Sequence, residues 1–343
     1  SGILSDGSPF VMAPGDGGEL LYPNIHITNG VLSLTRTAEV ARPPLVVVND
    51  GTGPTGAVAG QTIVVNDGGV LDYGFVAAHG SQVEINGGTV GDNFEADRSQ
   101  VVIRGGTVGK ALDVFSGATV RIEGGNVGNN LEIHTGGLLE LAEGQIGANG
   151  KVRSAGVLQM TGGTLGSFTV ESGGTAHIAG GRIDDTLLIQ SGGAAHISGG
   201  EVEREVVVEG GQLHISGGAL GLDGKTGSVV VMEGGLLKAN SRIRSGATFD
   251  LKGGAVGELS SEGGASTTFH GYDFAVDGVP LAGLDLPGDQ ANFSLAANTF
   301  FTGRLADGSP FLFTSLSSDH LSLVKLTQVA APANLPTDYQ IHD

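Results

Sequence analysis

The sequence predicts an all-β chain built as a single-stranded parallel β-helix, and three observations carry that prediction. One unit of 18 or 19 residues recurs seven or eight times between Ser81 and Gly218. Its apolar anchor falls at Ile85, Ile103, Ile122, Leu141, Met160, Ile178, Ile197 and Ile215, at spacings of 18, 19, 19, 19, 18, 19 and 18. A fixed period in this range is the mark of a stacked solenoid. Each unit also alternates apolar and polar residues over short segments, as in Val120, Arg121, Ile122, which is the period of a half-buried strand. Finally, the 62 glycines of 343 residues are periodic, and they separate those segments. Gly124-Gly125 and Gly136-Gly137 stand where a coil must turn, a task for residues that accept positive φ.

Three strands per coil, stacked about 4.8 Å apart, would bury a narrow column of Val, Ile and Leu. That accounts for a chain that is 39% hydrophobic and only 5% aromatic. The variation between 18 and 19 residues favours a right-handed coil over the strict hexads of a left-handed one.

Residues 1–44 do not keep the repeat and are expected to form an N-terminal cap over a terminal coil that would otherwise be an open pairing edge. They hold one alternation, from Ile25 to Leu34, and end at Pro43-Pro44. Leu45–Gly53 and Thr62–Val70 echo each other and read as the first coils. The β-helix is assigned to residues 45–259. Within it, Gly221–Gly227 (GLDGKTG) reads as an insertion that lengthens one coil and projects as a loop. From about Ser260 the glycine pattern fades and phenylalanines gather at 269, 274, 293, 300, 301, 311 and 313, so residues 260–343 read as a β-rich C-terminal cap.

One stretch occurs twice. GILSDGSPF at Gly2–Phe10 and GRLADGSPF at Gly303–Phe311 share seven of nine positions. Either both ends use one hairpin turning at Asp-Gly, or the chain begins with the tail of a preceding, similar module in a larger protein.

The coils with SGGT (Ser172–Thr175) and SGGA (Ser191–Ala194) followed by alternating apolar residues resemble the repeats of bacterial autotransporter adhesin passengers and related secreted β-helix proteins, over roughly residues 60–257. The resemblance implies an extracellular or cell-surface protein with an adhesive role. The pectate-lyase-like superfamily shares the general architecture, but none of its catalytic motifs is found here.

Net charge is −19, which disfavours nucleic acid and polyanionic ligands. Such acidity suits an extracellular surface and is also met in the cytosol. There is no cysteine, hence no disulfide framework or thiolate chemistry. No apolar run is long enough to cross a membrane, and Ser1 opens no signal peptide, so the chain reads as a mature or excised segment.

Stacking turns each repeat position into a row of side chains. The outward position before the anchor reads Glu84, Val102, Arg121, Glu140, Gln159, His177, His196 and His214, followed by Lys238 and Asp250. The position after it carries Ser198 and Ser216. Three histidines in successive coils make a flat polar strip, and His177, His196, His214, Lys238, Ser198 and Ser216 are the candidate ligand-binding residues. The strip is either a tolerated row of like side chains, a sugar-binding groove, or an acid/base site, since histidine titrates near neutrality. A straight row does not converge as zinc requires. The calcium nonapeptide G-G-x-G-x-D-x-U-x is also absent, so no metal and no cofactor is expected.

Two further rows, Asp113, Glu132, Lys151, Thr169, Leu188, Val207 and Phe115, His134, Arg153, Glu171, Gln190, Glu209, mix charges and read as a solvated face or one covered by a loop. Arg121 with Glu140 and Arg104 with Glu123 should pair between coils, each worth under about 1 kcal/mol.

The first functional expectation is a surface or adhesion module holding an extended polysaccharide along a flat face. A second is a polysaccharide lyase or glycoside hydrolase with its site on the histidine strip. Against it stand the negative charge, the absence of Trp and the lack of a basic cluster for a uronate. A third is a spacer in a tandem surface protein.

Overall fold

The computed structural model describes residues 42–314 and 320–333, together with the backbone of short strands at residues 2–3, 9–10, 13–14, 20–22 and 25–27. The fold is an all-β parallel β-helix of about twelve turns. No described residue is helical. No helix is therefore long and apolar enough to cross a membrane. The chain divides into two compact units, residues 1–177 with 181–184, and residues 178–180 with 185–343.

In the first unit each coil contributes three strands, as in Gln82–Ile85, Thr89–Val90 and Glu95–Ala96. Each pairs in parallel with its counterpart one coil on, and the first strands do so in constant register: Val83 with Val101, Val101 with Val120, Val120 with Leu139, and Leu139 with Leu158. Register holds because a slip of one residue would turn the whole apolar set outward. The anchors Ile85, Ile103, Ile122, Leu141 and Met160 are all buried. Each contributes about 1.5–3 kcal/mol relative to exposure.

The two glycines of a pair do different work. Gly125 takes a φ of +77°. A Cβ on Gly124 would lie 2.4 Å from the carbonyl oxygen of Arg104 in the preceding coil, so only a bare Cα fits. In this region the first two strands of a coil fuse into nine-residue strands, Thr119–Val127 and Leu138–Ile146, that change register at the glycines. The next corner is turned by asparagines in the left-handed region, Asn93, Asn130 and Asn149, a conformation this side chain tolerates. The first coils are as expected: Leu45–Val48 pairs in parallel with Thr62–Val65. Of the Ile25–Leu34 alternation, Ile25–Ile27 is a strand, and residues 28–34 lie outside the described residues.

The second unit repeats the plan with Ala194–Val202, Gln212–Leu220 and Val229–Leu237. Here one expectation is corrected. Gly221–Gly227 does not project as a loop, because Leu222–Gly224 is the third strand of its coil and is buried between Val206–Val208 and Arg242–Ile243. Ile215 pairs with Met232, 17 residues on. That coil is shorter than its neighbours, not longer, and its Asp223 is held by Arg244.

Beyond Leu259 the coils continue by a detour. The first half of Ser266–Val276 pairs in parallel with Thr248–Leu251, while its second half pairs antiparallel with Phe300–Leu305. Parallel stacking then resumes, His320–Leu321 on Ser260–Ser261 and Val324–Gln328 on Thr267–Gly271. Phe269, Phe274, Phe301, Phe311 and Phe313 are buried and fill the space under the antiparallel strands. The duplicated stretch makes the same antiparallel pairing at both places. Gly2 pairs with Phe10 and Ile3 with Pro9, as Gly303 pairs with Phe311 and Arg304 with Pro310.

Candidate functional site

Three rows of outward side chains are candidates, and they differ in how far the chain satisfies its own polar groups. The first is the histidine strip. His177 lies on Thr175–Ile178 at an exposed position. In the second unit, His196 and His214 occupy paired positions and their rings stack at 4.7 Å. The Ser216 hydroxyl lies 3.3 Å from His196 Nε2, which brings one expected serine to the strip. His214 Nε2 lies 3.1 Å from Glu233 Oε2. Lys252 holds the other oxygen of Glu233 at 3.0 Å, and Lys252 and His214 together hold the Glu233 carboxyl below the usual carboxylate pKa.

Lys238 does not belong to this row. His214 is followed by Val231 and then Asp250, because the 17-residue coil advances the register. Lys238 instead reaches back to Glu201 Oε1 at 2.8 Å and the Val202 carbonyl at 2.9 Å. Ser198 pairs through its backbone with Gly217, where the strand shifts register.

The second candidate lies on the third face of the first unit, where two rows run side by side. Glu95, Asp113, Glu132, Lys151 and Thr169 follow one another through consecutive pairings. His134, Arg153 and Glu171 belong to the adjacent row. This face is half-buried where the rows are charged. The side chains of Asp113, Glu132 and His134 are only 24%, 21% and 21% exposed.

Arg153 Nε donates to Glu132 Oε2 at 2.7 Å and approaches Glu171 at 3.6 Å, while Lys151 lies 3.8 Å from Glu132 and 3.7 Å from Glu171. His134 Nε2 shares a hydrogen bond of 2.9 Å with Asp113 Oδ1, and its ring stacks on Phe115 at 4.4 Å. Glu95 is 8% exposed, and its Oε2 has no hydrogen-bond partner among the described residues. Burial first, then the charges of Asp113 and Asp97, push its pKa up to about 8. Burial likewise raises Asp113, against the pull of His134. On the third face of the second unit Val207 is buried.

The third candidate was not legible as a site. The residue before the second apolar segment of each coil reads Thr89, Thr107, Asn126, Gln145, Thr164 and Arg182, paired in unbroken register. The first five are uncharged hydrogen-bonding side chains, and none of them bonds to another described residue of the protein. Asn126, Gln145 and Thr164 line a groove together with Gly147, Gly166 and Asp184. The signal lay in the repeat itself: GGTV, GGTV, GGNV, EGQI, GGTL. Neighbouring positions carry charges that pair between coils, such as Arg104 with Glu84 and Glu123, and Arg121 with Glu140.

No protein-family model matches the chain, and neither does any curated protein or solved structure. The likeness to adhesin passengers therefore rests on repeat architecture alone.

Proposed function

We propose that this β-helix is a surface-displayed binding module that holds an extended, uncharged polysaccharide along the Thr89–Thr164 row. The observation that carries the reading is that five consecutive coils offer amide and hydroxyl groups with no partner among the described residues. Amides and hydroxyls both donate and accept, so they match sugar hydroxyls. Their spacing of about 4.8 Å, set by strand stacking, is close to the rise of one sugar in an extended β-linked chain. The net charge of −19 argues for a neutral polymer over a uronate. Asn126, Gln145 and Thr164 line one groove, so a single extended ligand can reach three successive coils.

Affinity electrophoresis in gels containing a neutral β-glucan, a xylan or an alginate tests this. Retardation is expected in a neutral gel and not in alginate, and it should disappear when Asn126, Gln145 and Thr164 are all changed to Ala. Free migration in every neutral gel, or retardation that survives the triple change, would overturn the proposal. Release of new reducing ends would point to the hydrolase reading, with the histidine strip the first place to test.

A further inference from the structure

We propose that Asp113, Glu132 and His134, with Glu95 alongside, form a site for one divalent cation of the zinc class. The donors come from two adjacent rows and not one, so they make a triangle where a single row would make a line. Asp113 and Glu132 sit in neighbouring coils of one row, and His134, two residues after Glu132, folds back between them. His134 Nε2 is 2.9 Å from Asp113 Oδ1 and 3.7 Å from Glu132 Oε2, and one ligand atom from each of the three lies within 4.8 Å of the others. A tetrahedral ion with bonds of about 2.0–2.2 Å holds its ligand atoms about 3.3 Å apart, within the span observed. Stacking on Phe115 fixes the imidazole plane, and the Arg153 hydrogen bond fixes the Glu132 carboxylate through Oε2, leaving Oε1 toward the weaker Lys151 contact.

Glu95 supplies the independent observation. It is nine-tenths buried, its Oε2 is unpartnered, and it stands in register with Asp113, the charge that acts on it most strongly. A buried carboxylate without a partner is costly, and a cation beside Asp113 would answer it. The neighbouring charges are already matched. Lys151 and Arg153 serve Glu132 and Glu171 from the following coils, and Arg98 takes Asp97 at 3.0 Å. Among the described residues, Glu95 Oε2 is what remains without a partner beside them. An imidazole among carboxylates selects a borderline ion over calcium or magnesium, which take oxygen alone.

Addition of Co2+ alone to the untagged full chain, followed by its visible d–d absorption, tests the site. One equivalent should bind, Zn2+ should displace it, and excess Ca2+ should not. Asp113→Asn and His134→Gln should each weaken binding at least about tenfold, with His214→Gln as the unaffected control. Should either variant lose its native circular dichroism, Glu95→Gln takes its place with the same expected direction. A spectrum of aqueous Co2+ only, displacement by Ca2+, or binding indifferent to the Asp113, His134 and Glu95 changes would overturn the assignment.

Discussion

Two rows of the first unit, built by the same repeat on the same apolar column, have opposite characters. On the third face Glu132 meets Arg153, Asp113 meets His134, and the polar groups are largely spent on one another. On the second face Thr107, Asn126 and Gln145 stand in equally strict register, and their side chains bond to no described residue. A β-helix thus sets where side chains line up, and the chemistry of each row decides whether it stabilises the protein or is left for something else. Rows that pair are structural. A row that stays unpaired over five coils is available.

Four changes would break or sharpen this contrast. The largest concerns the column that both rows share. Ile122→Ala should cost about 2–5 kcal/mol in chemical denaturation, and a loss under about 1 kcal/mol would show that the rows do not depend on a common core.

Next is Glu95, whose raised pKa means that the folded protein holds a proton the unfolded chain releases. The sign follows directly: stability is fullest below the unfolded value of 4.5 and falls as pH rises toward about 8. Between about pH 5 and pH 8 the metal-free protein should lose about 3–4 kcal/mol. Glu95→Gln should flatten that slope and be the more stable form at pH 8, measured by denaturant midpoints across pH. A slope unchanged by the substitution would return Glu95 to an ordinary exposed carboxylate.

Smaller still, Arg153→Met removes bonds to Glu132 and Glu171 at a half-buried position and should cost about 1–2 kcal/mol, read from the thermal midpoint. A neutral effect would erase the energetic distinction between the paired and unpaired rows. Least of all, Asn126→Ala, Gln145→Ala and Thr164→Ala should each shift stability by no more than about 0.5 kcal/mol while polymer retention declines. A larger destabilisation would mean that this row, too, is structural.

The fold was legible because its rules are local. Alternation around Ile122, the pair Gly124-Gly125 and the recurring anchors each depend on a few adjacent residues, and every anchor from Ile85 to Ile215 is buried. The pairing of Arg104 with Glu123 was legible for the same reason, since the period alone puts them side by side. The histidine stack was half legible: His196 and His214 meet, but Lys238 does not join them. The error began at Gly221–Gly227, read as an insertion because LDG carries little apolar signal. In the fold it is a buried strand whose Asp223 is matched by Arg244.

The sequence by itself determined the coil, its period, its core column and the positions where only glycine fits, because these follow from side-chain alternation and backbone sterics within one repeat. Only the tertiary structure decided which outward residues meet. Partners such as Asp113 and His134 lie 21 residues apart and belong to different rows, so their meeting depends on where the chain turns as well as on the period. One coil of 17 residues replaces Lys238 with Val231. Counting Gly221–Gly227 as an insertion places the next member of the row 24 residues after His214, at Lys238, whereas the strand buried there leaves a coil of 17.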